Sequence, residues 1–182
     1  MNRNLHRAAA WGLALLLVCQ LVLPAAAAES DTIHIQSRED WDALVQHCRL
    51  DTWSQGKTVV LDLDLTGAQS IPTFGGVFEG GGHTIRGLLL NDEGAHQGLF
   101  RYIQEGAVVR ELTVSGRVTP AGSWDAAGGI AGVNRGTLTG CAFQGVVRGG
   151  GSVGGIAGIN EATGHADTDN EEILEARSKF ND

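Results

Sequence analysis

Basic charge, aromatic rings, proline and cysteine are all scarce in this chain, and each shortage removes a class of protein. Lys and Arg total 13 against 21 Asp and Glu, a net charge of −8. A nucleic-acid binder normally carries a basic surplus to displace counterions from phosphates, so that role is not expected. Aromatic residues make up 5% of the chain and prolines number 3. With no Gly-X-Y period either, proline-rich disorder and collagen are both excluded. The cysteines number 3, too few for a disulfide scaffold and without zinc spacing. What is present is an aliphatic chain, 42% hydrophobic over 182 residues with 27 glycines, about twice the usual ~7% glycine. That length suits one domain with its own core.

The amino terminus reads as an address. Residues 1–28 hold Arg3 and Arg7 and no acid, then an apolar stretch from Trp11 to Leu23, then Pro24 and Ala25 to Ala28 before Glu29. This is the order of a secretory signal peptide, with cleavage expected after Ala28. An uncleaved membrane anchor is the alternative, but Gln20, Pro24 and the alanine run weaken it as a spanning helix. Val18 is too bulky a neighbour for lipoprotein processing at Cys19. The mature chain is therefore expected to be exported, secreted or held at the cell surface. Cys48 and Cys141 would remain, as one possible bridge or, the favoured reading, as two buried thiols. Loss of Arg3 and Arg7 with the signal peptide would raise the surplus from 8 to 10 negative charges, and half of that sits in residues 161–182, where seven acids face two bases.

Internal repetition is the strongest signal. Gly128-Gly-Ile-Ala-Gly-Val-Asn134 recurs as Gly154-Gly-Ile-Ala-Gly-Ile-Asn160, 26 residues on, and a looser copy starts at Gly98 as Gly-Leu-Phe-Arg-Tyr-Ile. Between these blocks runs a second pattern: apolar, two spacers, apolar, one spacer, apolar. It reads Ile85, Leu88, Leu90, then Val109, Leu112, Val114, then Leu138, Cys141, Phe143. Gly116 and Val118 in the second copy match Gly145 and Val147 in the third. The i, i+2 part puts its apolar residues on one strand face, and the extra spacer suits a corner between two short strands. Residues 67–160 hold 24 glycines, each costing ~1 kcal/mol against alanine in a helix. Short strands, glycine corners and a period near 24–31 residues describe a parallel β-helix, in which like residues stack from turn to turn. An antiparallel sandwich would not need such a register.

Four segments follow. Residues 1–28 are the signal peptide, and 29–58 an N-terminal cap. In the cap, Ser37 and Asp40 form a loose capping box ahead of the helical stripe Trp41, Leu44, Val45 and Cys48. Residues 59–160 are the parallel β-helix of about four to five turns, its first strand running over the alternating Val59 to Leu65. Residues 161–182 are an acidic tail, disordered or weakly helical on a stripe of Ile173, Leu174, Arg177 and Phe180, where the repeat stops.

Phe74-Gly-Gly-Val-Phe-Glu-Gly-Gly-Gly-His-Thr-Ile85 resembles the segment that opens β-helices of bacterial exported GLUG-motif proteins, and Gly98-Leu-Phe100 the turn that follows it. The two Gly-Gly-Ile-Ala-Gly-hydrophobic-Asn blocks resemble GLUG repeats themselves. Such repeats occur in adhesin-like proteins and in the non-catalytic amino-terminal region of immunoglobulin-A1-cleaving metallopeptidases. The likeness covers about Ile33 to Asn160. Glu79 and Arg101 depart from it, standing where Asp and Gly are usual. It implies a right-handed all-β parallel β-helix serving as stalk or binding scaffold, with an extracellular protein or glycan as partner and end-to-end self-association as a hazard.

Candidates for chemistry are few. Asp62 and Asp64 alternate with leucines and would share an outward strand face about 7 Å apart, a spacing that could serve Ca²⁺ or acid–base work on a polysaccharide. Inside–outside patterning explains them as well. Asp167 to Glu172 starts like a calcium loop but has Glu172 at loop position 6 and Ser178 at position 12, where glycine and glutamate belong. Gly80-Gly-Gly-His-Thr lacks the phosphate-loop pattern. None of His34, His47, His83, His96 and His165 has zinc-protease spacing. No catalytic, metal or cofactor residue is therefore assigned, and a non-enzymatic surface module is expected. The alternatives are a polysaccharide lyase or hydrolase using Asp62 and Asp64, or a truncated fragment of a longer repeat protein.

Overall fold

The computed structural model describes residues 31–121 and 126–161 together with the backbone of His165–Asp167. The expected signal segment and the calcium-loop candidate beyond Asp167 lie outside the described residues.

The stack starts earlier than the alternating pattern suggests. Strand β1 (Asp31–Ile35) precedes helix α1 (Arg38–His47) and pairs in parallel with β2 (Lys57–Leu61), which follows the helix. Residues 29–58 thus supply a strand as well as a cap. The helix begins where the capping box placed it: Ser37 Oγ accepts from the Asp40 N–H at 3.1 Å, and the Asp40 carboxylate accepts from the Gln36 N–H at 3.0 Å. Its stripe Trp41, Leu44 and Val45, with Cys48 after it, is buried and joins the core. The Trp41 indole N–H donates to the Gln69 carbonyl at 3.0 Å, and its ring meets Phe78 edge-on. Arg38 donates to the Thr66 carbonyl at 2.9 Å. The helix therefore follows β1 as β3 and β4 follow β2, and covers the end of the stack ahead of the turn that β2 begins.

The remaining strands wind in four turns. The first is β2, β3 (Leu65–Thr66) and β4 (Ile71–Phe74). The second is β5 (Val77–Glu79), β6 (Thr84–Leu90), β7 (His96–Gln97) and β8 (Phe100–Ile103). The third is β9 (Val108–Arg110), β10 (Thr113–Val118), β11 (Ala126–Gly128) and β12 (Ala131–Asn134). The fourth is β13 (Thr137–Thr139), β14 (Ala142–Val147), β15 (Val153–Gly154) and β16 (Ala157–Asn160), after which β17 (His165–Asp167) pairs with β13. Four sheets result, β1-β2-β5-β9-β13-β17, β3-β6-β10-β14, β4-β8-β12-β16 and β7-β11-β15. Every pairing among the described residues is parallel, as a β-solenoid requires.

Inward residues stack in ladders: Val59, Phe78, Val109, Leu138 on one sheet and Leu65, Ile85, Val114, Phe143 on the next. The early turns are filled by Phe74, Phe78 and Phe100, whose ring centroids lie 5.4 to 6.0 Å apart at tilted or edge-on angles. Such pairs add roughly 0.5–1.5 kcal/mol beyond their burial. In the later turns Ala127 and Ala131 leave room, and the Phe143 ring lies against Gly129, where a Cβ would stand 2.1 Å from it.

The 26-residue repeat is the stacking period of β12 and β16, and the looser copy at Gly98 pairs Phe100 with Ala131 and Tyr102 with Val133. Three other expectations are corrected. Ile85, Leu88 and Leu90 do not lie on Val109, Leu112 and Val114. Ile85 pairs with Val114 and Leu90 with Val118, while Phe78 covers Val109. Gly87, at φ +69, carries an extra residue into β6 as a bulge, and a bulge mimics a corner in apolar spacing. Cys141 therefore stands in the slot of Leu112 but not of Leu88. Second, Val59 to Leu65 is not one strand, because β2 ends at Leu61 and β3 begins at Leu65. Third, the stack does not stop at Asn160, since β17 continues it within residues expected to be disordered or weakly helical.

Candidate functional site

The break after Leu61 decides what Asp62 and Asp64 can do. They occupy a corner rather than one strand face, and each is drawn into its own cluster. Asp62 accepts from Gln36 Nε2 at 2.9 Å and lies 2.9 Å from His34 Nδ1. These contacts, the glutamine bond first, lower its carboxyl below the usual carboxylate range. Asp64 accepts from the Thr84 backbone N–H at 2.8 Å and from Arg86 Nη1 at 2.7 Å, with His83 Nδ1 at 3.3 Å. The Thr84 bond and then the Arg86 bond lower its carboxyl to about 2. Neither group is built to deliver a proton near neutral pH, where a general acid needs a raised value. Among the described residues no three His, Cys, Asp or Glu side chains converge as a metal site.

Three further outward pairs link one turn to the next. Lys57 Nζ meets its register partner Asp31 at 2.5 Å. Arg110 donates through Nε and Nη2 to the two carboxylate oxygens of its register partner Glu79. Arg135 donates through Nε and Nη2 to Glu161 at 2.8 and 3.1 Å. The two arginine pairs are forked, the geometry in which guanidinium and carboxylate fit best. Their bonds hold the Arg110 and Arg135 guanidinium groups even more firmly protonated.

Cys48 and Cys141 are both free and buried. Burial pushes each thiol up to about 11, which removes the thiolate that a nucleophile or metal ligand needs.

One feature had no sequence signal. Between the end of α1 and the β6, β7 and β8 turn lies a groove of about 790 Å³, lined among others by Val45, Arg49, Leu89, Asp92, Gln97 and Arg101. Leu89 is 62% exposed. Gln97, only 2% exposed, has a buried Nε2 with no hydrogen-bond partner among the described residues. A Cβ added to Gly94 would stand 2.5 Å from Arg101 Nη2 and 2.6 Å from Gln97 Nε2, so the two nitrogens sit side by side against that glycine. Arg101 also lines a neighbouring hollow with Pro72, His96 and Tyr102. There His96 packs edge-on against Tyr102 and its buried Nδ1 likewise has no partner among the described residues. A glutamine and an arginine four residues apart in a strand–turn–strand segment carry no recognisable pattern, which is why only the folded chain brings them out.

Compared with known proteins, the chain matches no family model, no curated protein and no solved structure.

Proposed function

We propose that the chain is a non-enzymatic, exported recognition module, a rigid solenoid displayed on or released from a bacterial surface and binding an extracellular partner through its outward face. The observation that carries this reading is the coil-to-coil matching of outward charges, Asp31 with Lys57, Glu79 with Arg110 and Arg135 with Glu161. Pairs held in register across turns give a surface whose side chains are ordered before a partner arrives, which lowers the entropy cost of binding. The signal-peptide pattern of residues 1–28 and the resemblance to GLUG-motif exported proteins support the address and the role. A polysaccharide-cleaving role for Asp62 and Asp64 draws no support from their geometry, because each carboxylate is occupied by its own partners. The test is surface plasmon resonance of the purified protein against a panel of extracellular glycans and proteins, run beside a reducing-end assay on the same glycans. Saturable binding without cleavage supports the module, and cleavage overturns it.

A further inference from the structure

The groove beside Gln97 has a chemistry that narrows its occupant. Its charged lining is Arg49 and Arg101 against Asp92, and neither arginine has an ion-pair partner among the described residues, unlike Arg38, Arg86, Arg110 and Arg135. The surplus is one positive charge. It matches a single carboxylate better than a phosphate monoester, which brings about −1.5 to −2. The partnerless Gln97 amide adds a buried donor, and a buried donor left unmade is costly, so an acceptor placed there is favoured. Arg101 Nη2 and Gln97 Nε2 lie side by side against Gly94, and both residues line the groove, so one carboxylate can span the two donors. The lining also includes the aliphatic Val45 and the exposed Leu89. None of the described residues lining it carries an aromatic ring on which a sugar could lie flat.

We propose that this groove binds the carboxyl end of a peptide chain, holding its terminal carboxylate at Arg101 and Gln97 and its last aliphatic side chain against Val45 and Leu89. Capture of a chain-end carboxylate is a recurrent form of peptide recognition. Arg49, just past α1, supplies the second positive charge from the far side, and Asp92 accepts from the peptide's backbone N–H groups. The proposal rests on the reading of the chain as a binding module and names the partner class and place of contact.

The experiment is a nuclear magnetic resonance titration of the ¹⁵N-labelled protein with the peptide acetyl-Gly-Gly-Ala-Leu, as the free acid and as the carboxamide. The Gln97 side-chain amide signals are identified by their loss in Gln97→Met. The free acid is expected to move those signals and to bind at least about tenfold more tightly than the carboxamide. Arg101→Gln is expected to weaken the acid by a similar factor without lowering the melting temperature. If Arg101→Gln fails to fold, Arg49→Gln, on an exposed side chain, carries the same test. Equal affinity for acid and carboxamide overturns the proposal, as does an unmoved Gln97 signal at millimolar peptide. Movement of that signal by inorganic phosphate or an oligouronide but not by the peptide overturns it too. Glycan or protein binding in the panel that survives Arg101→Gln, with no peptide response, sinks this site while leaving the module standing.

Discussion

The side-chain amide of Asn134 donates to the side-chain oxygen of Asn160 at 2.8 Å, joining the last residues of two sequence blocks that lie 26 residues apart. The Asn134 side-chain oxygen, in turn, accepts the Gly136 backbone N–H at 3.1 Å. Asn134 therefore holds both the corner into β13 and the stacking of β12 on β16. It is fully buried, whereas Asn160 is exposed. Asn134→Ala leaves a buried N–H without its acceptor and is expected to cost about 1–3 kcal/mol, while Asn160→Ala, with water at hand, costs roughly 1 kcal/mol or less. Urea unfolding of the two variants checks the order. Equal losses would show that the corner, not the ladder, is indifferent to Asn134.

Close stacking makes a second comparison possible. Gly116 and Gly145 are register partners in β10 and β14, and a Cβ on Gly145 would stand 2.0 Å from the Gly116 carbonyl oxygen. Gly145→Ala must push two turns apart and is expected to lose about 1–3 kcal/mol or more. Gly82, at φ +75, has nothing within 4 Å of its added Cβ, so Gly82→Ala pays only for its backbone conformation, roughly 1–2 kcal/mol. The difference shows in the slope of unfolding as well as its midpoint, because parting the turns exposes core in the native state.

The fold was legible where chemistry repeats and illegible where it does not. The Gly-Gly-Ile-Ala-Gly blocks gave the right period because identical residues must stack on one another. Ile85, Leu88 and Leu90 misled, because Gly87 bulges the strand and counterfeits the spacing of a corner. Strand β1 escaped notice because its partner β2 comes after the helix, so nothing adjacent in sequence betrays the pairing. Asp62 and Asp64 were found but misplaced, since alternation cannot tell a strand from a corner whose leucines still point inward. Gln97 carries no signal and Arg101 stands out only as a departure from the resembled turn, because their closeness depends on the path of the loop through Gly94.

Acid should weaken the corner at Asp64. Its carboxyl is lowered to about 2 in the folded chain, against about 3.9 for an unperturbed aspartate. A group depressed on folding contributes stability above its unfolded value, and that contribution is lost as pH falls through the folded value. The loss attributable to Asp64 is therefore confined to the window between about pH 4 and pH 2. Urea midpoints measured across that window are expected to fall more steeply in the parent than in Asp64→Asn, and parallel curves would refute the assignment.

Cys48 and Cys141 are expected to resist a thiol reagent in the native state. With both thiols pushed up to about 11 by burial, the reactive thiolate is scarce at pH 8 and sterically covered. Labelling with Ellman's reagent is expected to wait for unfolding and then to count two thiols in urea, in protein produced from Glu29 onward. Rapid labelling of the folded protein, or a non-reduced mass showing a bridge between them, would contradict the buried free pair.

The helix at the start of the stack supplies the last prediction. Trp41 is fully buried, donates its indole N–H to the Gln69 carbonyl and meets Phe78 edge-on at 6.1 Å. Trp41→Phe keeps a ring against Phe78 but leaves the Gln69 carbonyl without its donor, and is expected to cost about 1–2 kcal/mol. Trp41→Ala removes the ring as well, for about 3–5 kcal/mol. It also loosens α1 from β3 and β4, the outermost members of their sheets. Strand edges uncovered in this way template pairing with another copy, so Trp41→Ala is expected to raise self-association over the parent in sedimentation velocity at increasing concentration. An alanine variant that loses stability yet sediments like the parent would mean that α1 contributes packing to the core without guarding the end of the stack.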